Sequence, residues 1–334
     1  MIPSIRARVC HLTTLILAAL VLAASLGAAS ALETVRVGVL TFGTVNWELD
    51  AMKHAGLDHA AGVDVDIVAF AGEDASNVAL QAGDVDVVVS DWLWVSRLRA
   101  DGADYTFVPY SSSVGAIMVP EDSALRSLGD LKGRRLGVAG GPLDKSWLLI
   151  RGLAARDSDL DLATENDIVY GAPPLLAEKA RQGELDAVLN FWHYNARLEA
   201  KGFRRLFGAD EAAVALGATG PVSALGWVFS ERWAQANPQA VQGFVEASRA
   251  TKTLLASSDA EWERLAPLVR AEGAELVALR DRYREGIPMR PAAEDEADAA
   301  RLYRVLADLG GAKLVGGSAV MAPGTYWSRL GNGF

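Results

Sequence analysis

The chain has 334 residues, of which 51% are hydrophobic and 22% are charged, so it is globular and large enough for two modest lobes. The formal net charge of −10 excludes a general affinity for nucleic acid or for anionic membranes. The single cysteine, Cys10, lies in the amino-terminal segment, so the rest of the chain has no disulfide and no thiol chemistry.

The amino-terminal segment has the pattern of a cleaved signal peptide. Arg6 and Arg8 form a positive start, residues 12–26 are almost wholly apolar, and Ala29-Ser30-Ala31 is an A-x-A cleavage site. The apolar run is shorter than the about 20 residues that span a bilayer. A retained membrane anchor is the alternative interpretation.

Removal of residues 1–31 predicts a soluble protein of the periplasm. The residues before Cys10 do not match a lipoprotein cleavage site, so we expect no lipid anchor. An exported protein without disulfides must be held together by its core alone, which is feasible at this size.

The next part of the chain alternates between strand and helix patterns. Residues 34–40 and 63–69 alternate apolar with polar side chains, and residues 105–109 form another short apolar run, which predicts three strands. Helices are predicted from near Asn46 and over residues 74–82. This alternation predicts an α/β fold with mostly parallel sheets.

One stretch of the chain occurs twice. Residues 83–102 and 183–202 are identical at 8 of 20 positions, at an offset of 100 residues without a gap. Each copy predicts a strand, a polar and aromatic corner, and a helix that ends at glycine. The two copies therefore predict two similar α/β lobes, with ligand bound at the corners Ser90-Asp91-Trp92 and Asn190-Phe191-Trp192. Their differences, Asp91 against Phe191 and Leu93-Trp94 against His193-Tyr194, are where we expect ligand choice to be encoded.

Strand and helix patterns continue through the second copy, and then the character of the chain changes. After a strand over residues 223–230, the chain is mainly helical, and we expect this helical run to pack on the first lobe. The crossings near residues 110–113 and 220–223 are hinge candidates, because small residues absorb backbone rotation. The predicted organisation is a signal peptide (1–31), the first part of lobe 1 (32–110), lobe 2 (111–220) and a return to lobe 1 (221–334).

Two motifs resemble those of a known family. The run LGDLKGRRLGV at residues 128–138 matches the DLKGKxIGV entry to the second lobe of type II periplasmic solute-binding proteins, and GELDA at residues 183–187 matches their G-x-hydrophobic-D-A strand signature. The predicted signal peptide and the predicted order of the lobes are also similar to those of this family. Within that family the chain looks most like the branch that handles nitrate, sulfonates, taurine and thiamine-precursor pyrimidines.

The resemblance implies a two-lobed periplasmic-binding-protein type II fold with a cleft between the lobes. It also implies the substrate-binding component of an ABC importer, which captures a small solute and delivers it to an inner-membrane permease with a cytoplasmic ATPase. We expect a monomer with no cofactor, no metal and no nucleic-acid partner. No catalytic set of residues appears in the sequence, so we do not expect an enzyme.

The sequence departs from the anion-binding members at the start of the second-lobe helix. Pro142 removes one backbone donor, and Asp144 places a carboxylate where an anion would sit. This favours a ring- or amine-bearing solute. A sulfonate- or nitrate-like oxyanion is the alternative ligand, and a non-transport periplasmic enzyme or sensor is the alternative function.

In open α/β sheets, ligands bind beyond the carboxyl ends of strands. The tryptophans there are predicted to stack on the ligand, with core packing as the alternative, and the aspartates to bind an amine, with helix capping as the alternative. His193 has no histidine or cysteine at metal-ligand spacing. Contact with the ligand is one interpretation of this residue, and an exposed position on a helix is the alternative. The predicted ligand-binding residues are Asn46, Trp47, Ser90, Asp91, Trp92, Ser112, Asp144, Ser146, Trp147, Asn190 and Trp192.

Overall fold

Two five-stranded sheets contain the strands of the part of the chain that the structure describes. The computed structural model describes residues 32–328, and the predicted signal peptide lies outside them. The first sheet contains β1 (Glu33–Leu40), β2 (Val63–Phe70), β3 (Val87–Ser90), β4 (Tyr105–Ser111) and β10 (Leu225–Ser230). The second sheet contains β5 (Ala116–Pro120), β6 (Arg135–Ala139), β7 (Asp167–Gly171), β8 (Ala187–Asn190) and β9 (Phe203–Gly208).

Helices connect and cover the strands. The first seven are α1 (Val45–His54), α2 (Leu57–Ala60), α3 (Glu73–Ala82), α4 (Trp92–Ala100), α5 (Lys145–Ser158), α6 (Pro173–Arg181) and α7 (Trp192–Glu199), with a short 3₁₀ turn at Gly129–Leu131. The others are α8 (Ala209–Ala215), α9 (Glu231–Ala236), α10 (Pro238–Ser257), α11 (Asp259–Val269), α12 (Gly273–Glu285), α13 (Ala292–Gly310) and α14 (Ala312–Val315). Within the described residues, none of these helices has the length and apolar character needed to cross a membrane.

The two sheets share one topology. Their strand orders are β2-β1-β3-β10-β4 and β7-β6-β8-β5-β9. Strand β1 is parallel to β3, and β6 is parallel to β7 and β8. Strands β10 and β5 run antiparallel to both of their neighbours, so each sheet is mixed and contains one reversed strand. The predicted α/β class is confirmed.

The sequence repeat occupies the same place in each sheet. Strands β3 and β8, and helices α4 and α7, begin 100 residues apart. Asp86 accepts a hydrogen bond from the backbone N–H of Arg36 at 2.9 Å, and Asp186 accepts one from the N–H of Arg135 at 2.8 Å. Each aspartate thus fixes the chain of the neighbouring parallel strand, β1 or β6. The predicted strand, corner and helix are confirmed in both copies.

The carboxyl-terminal helices pack on helices of both sheets. Helix α10 contacts α1, α2 and β2 beside the first sheet, whereas α12 contacts α7 and α13 contacts α5. Arg282 in α12 donates two hydrogen bonds to Glu199 of α7, at 2.8 and 3.0 Å. This packing differs from the expectation that the whole helical run lies on the first lobe, because α12 and α13 carry side chains that match partners on α7 and α5.

A buried carboxylate connects three helices near the first sheet. Glu48 of α1 is fully buried, and it accepts hydrogen bonds from the hydroxyl of Ser248 at 2.6 Å and from that of Tyr283 at 2.9 Å. It also forms an ion pair with Lys252, whose ammonium lies 3.6 Å from the centroid of the Tyr110 ring. A charge is tolerated in a core only when it is paired and hydrogen-bonded, so this cluster holds α1, α10 and α12 together.

The single substitution Lys252→Met is expected to lower the free energy of unfolding by about 3–5 kcal/mol, because it leaves the Glu48 charge buried without its cation. The double variant Glu48→Gln, Lys252→Met should recover most of this loss. Urea denaturation measures both. As a control, Lys179→Met removes a partly exposed ion pair with Glu184 and should cost less than about 1 kcal/mol. Equal losses for the two single variants would contradict the assignment.

Candidate ligand-binding cleft

A cavity of about 1030 Å³ opens between the two sheets. Its lining includes the residues after β1, the corner after β3 and the first residues of α5, α6 and α7. Both chain crossings contribute as well, through residues 112–115 and 222–225. The cavity therefore lies at the strand ends, where ligands of open α/β sheets bind.

The structure brings together six of the eleven predicted site residues at this cavity and places five behind it. The six positions at which ligand choice is predicted to be encoded (91, 93, 94, 191, 193 and 194) also line the cavity. The six lining predictions are Asp91, Trp92, Ser112, Asp144, Ser146 and Trp192. The five others are Asn46, Trp47, Ser90, Trp147 and Asn190.

Two of the residues behind the cavity hold its walls through hydrogen bonds. The side-chain amide of Asn46 donates to the carbonyl of Leu40 at 2.9 Å, which fixes the turn after β1. The amide of Asn190 donates to the carbonyl of Pro173 at 2.9 Å. Because Leu40 and Pro173 both line the cavity, these two asparagines shape it without facing it.

The predicted tryptophans divide between the core and the cleft. Trp147 is fully buried in the core. Trp47 is 5% exposed, and its ring meets the rings of Trp192 and Trp262 edge to face, with centroids 6.0 Å apart in each pair. Trp92 faces the cavity but is anchored, because its indole N–H donates to the carbonyl of Ser223 in the second crossing at 2.9 Å. Core packing thus accounts for Trp47 and Trp147.

An ion pair crosses the cleft from one sheet to the other. Lys145, the first residue of α5, donates from Nζ to Oδ2 of Asp91 at 2.6 Å. The side chains are 33% and 16% exposed, so both still reach solvent in the cavity. Two further carboxylates, those of Glu73 and Asp144, line the same cavity. Burial alone would lower the pKa of Lys145, but the charges of these three acids outweigh it and raise that pKa.

The three carboxyl groups respond differently to this environment. Burial favours the neutral form of Asp91, yet the ammonium of Lys145 and backbone N–H groups outweigh it and lower the pKa of Asp91. Burial and the charge of Asp91 raise the pKa of Glu73. Burial also raises the pKa of Asp144, against the hydrogen bond from Trp147. Asp91 is therefore held as the permanent anion of the group.

Asp91 and Asp144 are also helix caps, so both interpretations drawn from the sequence apply to the same side chains. Asp91 accepts a hydrogen bond from the N–H of Trp94 at 2.8 Å, and Asp144 accepts one from the N–H of Trp147 at 3.0 Å. A Cβ on Gly140, whose φ is +80°, would approach Oδ2 of Asp144 to 2.7 Å, which favours glycine there. The chain's own carboxylate thus occupies the start of α5, which disfavours an oxyanion at this point.

Aromatic side chains form another part of the lining. Phe42 is 76% exposed and Phe191 37% exposed, and both border the cavity together with Trp192 and Tyr194. His193 lies among these rings, and burial, assisted by the charge of nearby Arg197, lowers its pKa to about 4. His193 is therefore neutral near pH 7. Among the described residues its buried Nδ1 atom has no hydrogen-bond partner.

A possible cation site lies outside this cavity. Asp58, His59 and Asp64 place ligand atoms within 4.8 Å of one another. However, the ammonium of Lys53 already donates to Asp58 at 2.6 Å and to Asp64 at 2.8 Å. The cluster therefore has a cation of its own.

The predicted site residues omit five charged residues of the lining: Glu73, Asp74, Arg97, Lys145 and Asp210. Glu73 begins α3 directly after the turn that ends β2, and Lys145 follows Asp144 at the start of α5. The signal that could have found them is position, since both lie at the carboxyl end of a strand of their sheet. The hydroxyl of Ser90 donates a hydrogen bond to the carboxyl group of Glu73 at 3.2 Å. Ser90 therefore orients a lining residue and does not line the cavity itself.

Three solved structures that are similar in fold to this chain are described as binding proteins or as a ligand-binding component. The alkanesulfonate-binding protein SsuA from Xanthomonas axonopodis pv. citri bound to MOPS is 22% identical, with a TM-score of 0.64, over 90% of this chain and 99% of that chain. The periplasmic aliphatic sulphonate binding protein SsuA from Escherichia coli is 20% identical, with a TM-score of 0.68, over 89% and 98%. A ligand-binding component of an ABC-type import system from Staphylococcus aureus with zinc bound is 12% identical, with a TM-score of 0.58, over 88% and 96%.

These similarities show the periplasmic-binding-protein fold, which confirms the predicted two-lobed class. Comparison with curated protein sequences finds no match. The family model described as NMT1/THI5 like matches residues 53–260, which is more than half of the chain, and it confirms the branch that the sequence motifs indicated. The chain therefore belongs to the NMT1/THI5-like family.

Proposed function

We propose that the protein is the substrate-binding component of an ABC importer and that it captures a small organic solute carrying an amine, and preferably a ring, in the cleft. It then delivers the solute to an inner-membrane permease with a cytoplasmic ATPase. The observation that carries this proposal is the charge of the cleft, where Asp91 pairs with Lys145 and the carboxyl groups of Glu73 and Asp144 line the same cavity. Phe191, Trp192 and Tyr194 form an aromatic wall of that cavity. Family membership supports the receptor role, and the chemistry of the lining supports the class of solute.

The lining of the whole cavity is net negative. An excess of acidic side chains in a cleft concentrates cations and repels anions. The acidic members are Glu73, Asp74, Asp91, Asp144 and Asp210, and the basic members are Arg97 and Lys145. His193 adds no charge, because its pKa of about 4 leaves it neutral.

The aromatic lining supports a ring or a cation next to these acids. Faces of Trp, Tyr and Phe rings attract cations and stack on planar groups. Phe191, Trp192 and Tyr194 all follow β8 on the second sheet, across the cleft from Asp91. A solute with an amine at one end and a ring at the other fits this division of the lining.

Capture requires relative motion of the two halves of the chain. We place the first half at residues 32–110 with a return over 221–334, the second half at 111–220, and the hinges at 110–113 and 220–223. Solute contacts with both halves favour the closed form and shift a hinge equilibrium. The receptor acts in the periplasm as a soluble monomer after removal of the signal peptide, residues 1–31.

The second candidate is a receptor for a sulfonate-like oxyanion, which the similarity to sulfonate-binding structures favours. To bind an oxyanion, the cleft would have to supply a positively charged side chain or free backbone N–H groups. Asp144 caps the start of α5, and the ammonium of Lys145 is committed to Asp91. The lining therefore supports the amine candidate more strongly.

A thermal-shift screen separates the two candidates. Ring-bearing amines, alkylamines, pyrimidines, sulfonates and metal ions are tested against the protein without residues 1–31. A solute present at 100 times its dissociation constant stabilises the folded state by about 2.7 kcal/mol, which raises the melting temperature measurably. We expect amines to do so and sulfonates not to. Stabilisation by sulfonates alone would establish the oxyanion receptor instead.

Neutral replacements of the cleft acids are expected to weaken binding of the amine found in the screen. Glu73→Gln and Asp144→Asn should each reduce its affinity about tenfold, because each removes a charge-assisted interaction. Asparagine caps helices as well as aspartate does, so folding of the Asp144 variant should change little. Calorimetric titration measures the affinities, with Glu184→Gln, on the surface and outside the lining, as the matched control. If both variants bind the amine within twofold of the unaltered protein, Glu73 and Asp144 do not contribute to solute binding.

A further inference from the structure

We propose that Lys145 is a tethered occupant of the cleft, whose ammonium fills the position that the amine of a solute takes. Binding then exchanges one ammonium for another at the same carboxylates. This inference rests on the proposed capture of an amine and adds two points to it: where the amine binds, and which residue competes with it. It makes Lys145 a specificity-determining residue of the receptor.

The position of Lys145 is the first argument. Its Nζ atom lies 2.6 Å from Oδ2 of Asp91, although the two residues stand at the starts of helices that follow strands of different sheets. The pair therefore crosses the space that a solute enters. With 33% of the Lys145 side chain exposed, the ammonium can leave its partner for solvent without disturbing the core.

The carboxylates around this ammonium are held in place independently of it. Backbone N–H groups of their own helices fix Asp91 and Asp144, at 2.8 and 3.0 Å, and the hydroxyl of Ser90 fixes Glu73 at 3.2 Å. The acids would consequently keep their arrangement after Lys145 moved away. A preorganised anionic site of this kind loses little free energy in binding a new cation.

Charge balance is the third argument. Without a cation, three partly buried acids would share one cavity with no opposite charge between them, which costs free energy through repulsion and loss of hydration. Lys145 supplies that cation when the cleft holds no solute, and the pKa of Glu73, raised by burial and by Asp91, reports the same crowding of negative charge. A solute amine replaces Lys145 without changing the net charge of the site.

The exchange also defines the class of solute. The bond from Lys145 to Asp91 is a short N–H···O contact, so a competitor needs an N–H donor as well as a positive charge. Primary and secondary amines and guanidines meet both conditions. Quaternary ammonium compounds have the charge without the donor, and sulfonates have neither.

Chemical rescue tests the proposal without any physiological solute. Lys145→Ala removes three methylene groups and the ammonium, and propylammonium replaces those atoms. We expect propylammonium, titrated at constant ionic strength and followed by amide NMR shifts of the cleft, to bind Lys145→Ala at least about tenfold more tightly than the unaltered protein. Tetramethylammonium and 1-propanol, which lack the donor or the charge, should show no such gain.

Three matched variants make the result specific. Lys145→Met removes the ammonium but keeps the space of the lysine methylene groups filled, so propylammonium lacks room for its chain and should gain little affinity. Adding Asp91→Asn to Lys145→Ala should abolish the gain. Lys179→Ala removes an ion pair of similar exposure, with Glu184, inside the second half and should behave like the unaltered protein. Urea denaturation confirms that each variant is folded.

The proposal is overturned if propylammonium binds Lys145→Ala no better than the unaltered protein, or if the Met variant or the Asp91→Asn double variant gains as much. These outcomes are independent of the thermal-shift screen. Rescue by propylammonium together with a screen in which only sulfonates bind would leave the ammonium position established and the amine receptor refuted. Amine binding in the screen without rescue by propylammonium would support the amine receptor and refute the role proposed for Lys145.

Discussion

The chain crosses between its two sheets twice, and this topological constraint determines where the cleft lies. The strand formed after each crossing, β5 in the second sheet and β10 in the first, runs against its neighbours. Each reversed strand pairs with a strand of the repeat, β8 or β3, so the crossings emerge beside the corners of the repeat. Both corners and both crossings line one cavity as a result. The crossings and the corners thereby bring residues from both sheets to one cavity.

The acids of the cleft illustrate how local structure prepares a site. Asp91 and Asp144 are fixed because each begins a helix and accepts one of its free N–H groups, an interaction that any helix start offers. What turns two ordinary caps into a site is their convergence with Glu73 on one cavity. The same carboxylates therefore contribute to helix stability and to the negative charge of the cleft.

Helix α12 contacts both the buried Glu48 cluster and an aromatic residue of the cleft. Tyr283 of α12 donates to the buried Glu48 carboxylate, and its ring contacts Trp192 at a centroid distance of 6.4 Å. Trp192 in turn meets the ring of Trp47 in α1. Helix α7, which carries the aromatic wall, therefore packs directly on α1 and α12. The end of helix α12 also meets the first crossing, because the carbonyl of Gly286, directly after the helix, accepts a hydrogen bond from the N–H of Ser112 at 2.9 Å.

The sequence by itself determined the features that depend on neighbouring residues. Alternation and helical periodicity predicted the strands and most helices, including the helical run that follows residue 230. The repeat predicted two equivalent corners, and the two motifs indicated the family. Asp91 and Asp144 were recognisable as caps and as cleft residues, because both properties follow from position at a strand end and a helix start.

Only the tertiary structure decided which distant side chains meet. The pairing of Lys145 with Asp91 joins residues 54 positions apart, and nothing in the local pattern of either residue specifies the other. Trp47 and Trp147 have the residue type of a stacking wall, but packing against other helices places them in the core. The contacts of α12 and α13 with α7 and α5 likewise depend on the path of the whole chain. Periodicity and capping act over a few residues, whereas these contacts exist only once the two sheets are assembled.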